Sequence, residues 1–122
     1  MNYKKQRVQI VNITIPNATA PGSVITAEAV LLNDYTQCVG YCLHQASNAN
    51  GDPINIQIKH EDELIMDYVH YEHIEANAST PVDKRFHPAN FRANGKKLFI
   101  NANPIANTTA AVTFQIVLLL EK

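Results

Sequence analysis

The run HEDELIMDYVHYEHIEA, residues 60–76, gathers three of the chain's five histidines (His60, His70 and His73) and six of its eleven carboxylates. Imidazoles and carboxylates this close together suggest metal ligation or acid–base work. His70-x-x-His73 would set two imidazoles on one side of a helix, with Asp67 and Glu72 nearby. The zinc-protease pattern is H-E-x-x-H, and the run does not contain it. It also lacks the H-x-H, Glu and later His of a cupin-type metal barrel. His70 and His73 are therefore the metal candidates, set against a simpler reading of the run as an acidic connection between strands. Glu61, Asp62 and Glu63 are adjacent and point different ways. Glycosidic catalysis needs two converging carboxyls about 5 to 9.5 Å apart. No G-x-S-x-G supplies a serine nucleophile, and four glycines form no phosphate-cradling loop. Cys42 and His44, two apart on a strand, could share a face. These residues argue against an enzyme, and no catalytic residue or cofactor is expected.

Charge points elsewhere. Lys84, Arg85, Arg92, Lys96 and Lys97 follow the acidic run, with Phe86 and Phe91 among them, and Lys4, Lys5 and Arg7 open the chain. Basic residues interleaved with aromatics resemble a single-stranded nucleic-acid footprint. A net charge of −1 and an isoelectric point near 6.5 disfavour such a partner. The acids Glu61, Asp62, Glu63, Asp67, Glu72 and Glu75 and the five later bases instead form a candidate interaction site. They would pair within one chain, or between neighbours whose acidic and basic edges meet.

The elements that carry these residues alternate with period two, the signature of strands. RVQIVNITI, VITAEAVLL, YTQCVGYCLHQA, INIQIKH, KKLFINAN and the terminal AAVTFQIVLLLEK all read so, and ELIM is a further short candidate. On the third strand Val39, Tyr41 and Leu43 oppose Cys38, Cys42 and His44, with Gly40 marking a bulge. Cys38 and Cys42 would lie about 13 Å apart at about 3.3 Å per residue, beyond disulfide reach, so both are expected as buried or half-buried free thiols. VTFQIVLLL is apolar on both faces, which requires a central strand or a second cover, either the crossing or another copy. Around residues 68–94 the alternation fails, and YVHYEHIEA could make two turns of helix before a long irregular connection. The expected fold is an all-β, single-domain, jelly-roll-like β-sandwich over 7–122, with one short helical or irregular crossing and residues 1–6 as a flexible arm. The apolar residues that follow the basic start are interrupted by Gln9, Asn12 and Thr14, so no signal peptide is expected, nor a transmembrane segment.

In the order VITAEAVLLND, CVGYCLHQA, NGDPINIQIKH, FHPANFRANGKKLFINANP and TFQIVLLLEK, the chain resembles the small jelly-roll or β-sandwich structural proteins of bacteriophage virions. That group includes minor capsid, penton, spike-base and decoration types. The resemblance implies a virion protein made in the host cytoplasm. It would act by self-association into a homo-oligomer and by attachment to other virion proteins of a shell, without a membrane or catalytic residues. The alternative is a carbohydrate- or ligand-binding sandwich module, in which Tyr35, Tyr41, Tyr68 and Tyr71 would serve as aromatic platforms.

Overall fold

The computed structural model describes residues 5–48, 50–61, 63–76 and 85–122. Nearly all of its regular structure is eight strands: β1 (Gln6–Ile15), β2 (Ile25–Val30), β3 (Gln37–Ser47), β4 (Ile54–His60), β5 (Leu64–His70), β6 (His87–Arg92), β7 (Lys97–Pro104) and β8 (Val112–Glu121). They form two antiparallel four-stranded sheets, sheet A in the order β1-β8-β3-β6 and sheet B in the order β2-β7-β4-β5. Apart from the β4–β5 hairpin, consecutive strands alternate between sheets, and each sheet interleaves early and late strands. This is the double-sheet jelly roll.

Alternation builds the core directly. On β4, Ile54, Ile56 and Ile58 point inward, facing Val112, Phe114, Ile116, Leu118 and Leu120 of β8, and all eight are fully buried. Each such side chain contributes about 1.5–3 kcal/mol through burial. As the double-sided apolar pattern requires, β8 is central, held between β1 and β3. Beside the β1/β2 edge, Gln9 stitches the sheets: its Nε2 donates to the Val30 carbonyl at 3.0 Å and its Oε1 accepts from the Leu32 amide at 3.2 Å.

Three details depart from the sequence expectation. The irregular crossing is shorter, because Tyr68–His70 continue β5 and His87–Arg92 form β6. Between them the expected two helical turns reduce to a single 3₁₀ turn, Tyr71–His73. Pro88 is tolerated because β6 is an edge strand. The bulge does lie between Cys38 and Gly40, but its extra residue swaps faces. Cys38 pairs with Leu120 and joins Tyr41 and Leu43 toward the core, whereas Cys42 pairs with Val117 on the outer face. Gln6, assigned to the arm, opens β1 opposite Glu121. Residues 1–4 of that arm lie outside the described residues, as do Asp62 and Lys84.

Beyond β6, the free half of β3 is covered by the chain after the 3₁₀ turn. The Leu43 amide donates to the Ile74 carbonyl and the Ala76 amide to the Leu43 carbonyl, each at 2.8 Å. Gln45 Nε2 then donates to Glu75 Oε2. This lays Ala76 beside Arg85, Phe86 and Cys42 over the outer face of sheet A.

Candidate interaction surfaces

The charged residues are dispersed over the fold. Glu61 sits in the β4–β5 turn, where its Oε2 accepts the Lys97 backbone amide at 2.9 Å and its Oε1 lies 3.3 Å from Lys96 Nζ. The amide bond chiefly, and then Lys96, hold the Glu61 carboxyl below its ordinary value of 4.5. Lys97 turns the other way, its Nζ 3.3 Å from Glu28 on β2. Acidic and basic stretches thus meet within one chain at this point. Glu63 closes the same turn through backbone bonds with His60, and Asp67 stands exposed on β5. Glu72 and His73 belong to the 3₁₀ turn, and Glu75 and Arg85 face a cavity with His44 and Gln45. Arg92 ends β6, exposed.

Of the histidines of the run, His60 lies apart from His70 and His73. His70 Nδ1 accepts from the Glu72 amide at 3.3 Å, and its ring stacks on Tyr71 at 4.6 Å, so it caps the turn. His70, Glu72 and His73 line an open groove. Among the described residues, no group of three or more His, Cys, Asp or Glu side chains is placed to hold a metal ion. His60 has a structural role that the charged run around it hides. It is buried and packs against Phe91, with Nε2 2.8 Å from the Arg92 carbonyl oxygen. A carbonyl only accepts, so Nε2 carries the proton. This bond bolts β4 of sheet B to β6 of sheet A. The signal was present in the parity of Ile54, Ile56, Ile58 and His60.

The thiols are free and buried. Burial pushes Cys38 up to about 11. It also raises Cys42, against a smaller opposing pull from Arg85. Cys42 and His44 do share the outer face of sheet A, but a thiol held protonated is a poor nucleophile. Tyr35 and Tyr71 are buried and cannot serve as platforms, while Tyr41 is half-buried and stacks on His87 at 5.7 Å.

The two outer faces of the sandwich differ in chemistry. Sheet A presents Val8 and Ile10 on β1, 46% and 50% exposed, beside half-buried Val117 and Leu119 of β8. Sheet B presents mainly polar side chains on its central strands, Asn55, Gln57 and Lys59 on β4 and Lys97, Asn101 and Asn103 on β7, with Val30 and Leu64 exposed on its two edge strands. No helix among the described residues is long and apolar enough to cross a membrane.

No family model and no curated protein matches the chain. Among solved structures it is similar to a chain of the cyanophage Pam1 capsid asymmetric unit. The TM-score is 0.54 and the identity 12%, over 97% of this chain and 85% of that one. A chain of the acidic stable capsid of Helicobacter pylori bacteriophage KHP30 aligns at TM-score 0.43 and 12% identity, over 98% of this chain and 94% of that one. Dimeric latent PorU from Porphyromonas gingivalis aligns at 0.45 and 10%, over 98% of this chain and 13% of that one. The Pam1 likeness establishes a shared fold, a capsid-like β-sandwich.

Proposed function

We propose that the chain is a non-enzymatic structural subunit of a virus particle that works by self-association and by attachment to a shell. The observation that carries this reading is the apolar outer face of sheet A. Val8 and Ile10 stand exposed directly beside Leu119 and Val117, whereas the exposed apolar residues of sheet B, Val30 and Leu64, sit apart on its opposite edge strands. A contiguous apolar strand surface is an aggregation hazard on a free monomer and an asset in an interface. The jelly roll hosts capsid proteins, lectins and cupins alike, so the choice rests on surfaces rather than on fold. The likeness to a Pam1 capsid chain supports the first of these. The exposed charges Glu63, Glu72 and Arg92, with Asp62, Lys84 and the residues before β1, would set register and partner choice, while Glu61 and Lys96 are engaged with one another.

The test is absolute mass by light scattering on wild type and on the double variant Val8→Lys, Ile10→Lys. Wild type is expected at a discrete multiple of 13.6 kDa, and the variant at one chain mass with unchanged circular dichroism. A wild type that remains at one chain mass at every concentration overturns self-association. An oligomer indifferent to the two lysines overturns the assignment to sheet A.

A further inference from the structure

The polar face of sheet B carries a continuous hydrogen-bonded row. Thr26 Oγ1 donates to Asn101 Oδ1 at 2.7 Å, Asn101 Nδ2 donates to Gln57 Oε1 at 2.8 Å, and Gln57 Nε2 donates to Asp67 Oδ1 at 3.2 Å. The residues come in turn from β2, β7, β4 and β5, so the row crosses the whole sheet, with successive members about 4.8 Å apart. Every link donates toward the carboxylate, and such chains polarise one another. The links also fix what remains for a ligand. Asn101 and Gln57 each keep a second amide hydrogen, Thr26 keeps an oxygen lone pair, and Asp67 keeps its other carboxylate oxygen. The row therefore offers acceptor, donor, donor and acceptor in a fixed order.

Phe99 lies on the same face, half-buried, two positions before Asn101 and between Glu28 and Lys59 across the strands. Charge on this face balances, with Glu28 and Asp67 against Lys59 and Lys97, and Lys97 Nζ lies 3.3 Å from Glu28. A balanced face gives an anionic partner such as nucleic acid no net attraction. Polar groups at regular spacing, beside one ring, suit a ligand that is itself hydroxylated, uncharged and partly apolar. We propose that this face binds a neutral oligosaccharide, with sugar hydroxyls on the Thr26–Asn101–Gln57–Asp67 row and a sugar C–H face against Phe99. The tyrosines expected as platforms are not used.

The site is independent of the assembly reading, since it lies on the opposite face and is tested on the isolated chain. The ¹⁵N-labelled full chain is titrated separately with cellopentaose, maltopentaose and chitopentaose, following the side-chain amide signals of Asn101 and Gln57. Saturable shifts of both with at least one sugar are expected. Asn101→Asp keeps the shape but removes the donors, and should weaken binding about tenfold, the effect of one lost hydrogen bond. Phe99→Ala should weaken it too, and Val8→Lys, Ile10→Lys should leave it unchanged, with folding read from the same spectra. No shift with any of the three sugars, or binding untouched by both Asn101→Asp and Phe99→Ala, overturns the proposal.

Discussion

Glu61 owes its charged state to neighbours rather than to burial, because the Lys97 amide and the Lys96 ammonium both favour the carboxylate. A depressed folded-state pKa contributes stability that is present above the unfolded value and lost as pH falls through the folded one. Glu61→Gln should therefore melt below wild type at neutral pH. The gap should close as pH falls from about 4.5 through the lower folded value. Calorimetry across that range checks it, and a gap that persists at the acid end would contradict the cause assigned here. Residue chemistry was partly legible beforehand. The acidic and basic stretches were visible as composition, but the Glu61–Lys96 contact joins residues on opposite sides of the crossing and needs the fold. His60 was legible by parity and was obscured by the motif around it, since a histidine beside carboxylates invites a catalytic reading before a structural one.

The bulge on β3 is the element whose geometry decides most. One extra residue between Cys38 and Gly40 turns Cys38 to the core and leaves Cys42 outside, while keeping Leu43 opposite Ile116. Gly40 is required there for a packing reason. A Cβ at this position would lie 2.9 Å from Phe86 Cβ and 3.4 Å from the His87 carbonyl oxygen. Gly40→Ala must push Phe86 and β6 away, and should destabilise by about 1–3 kcal/mol, the usual penalty for overpacking. Urea unfolding should show a lower midpoint with an unchanged slope. An unchanged midpoint would mean that Phe86 moves freely. The glycine was readable as a bulge, but alternation alone cannot say which flanking residue changes side, because an insertion of one leaves both patterns plausible. β6 was missed for a related reason. Pro88 breaks the expected pattern, and only its edge position, set by pairing with β3, makes the proline harmless.

At the scale of the molecule, sheet A is closed by β8. β8 pairs with β1 so that Gln6 faces Glu121, and it pairs with β3 on its other side. β2 likewise waits for β7. Period-two alternation made all these strands visible, but nothing local states that the first pairs with the last. That follows from where the apolar faces can all be buried together. Until β8 is present, the core around Val11, Ile13, Ile15 and Leu43 lacks five of its fully buried side chains, and the edges of β1 and β3 that β8 covers are open. The loop-closure cost of such distant pairings comes before their contacts form. Refolding should therefore fall in the range of about milliseconds to seconds typical of β-sandwiches, rather than microseconds. Buried Tyr35 and Tyr71 provide the fluorescence signal in a chain without tryptophan. Stopped-flow dilution from urea measures the rate, and a chain lacking residues 112–122 should give no folded signal at all. A truncated chain that still folds cooperatively would show that sheet B and its hairpin form an independent unit, and the sandwich could no longer be said to depend on its central strand.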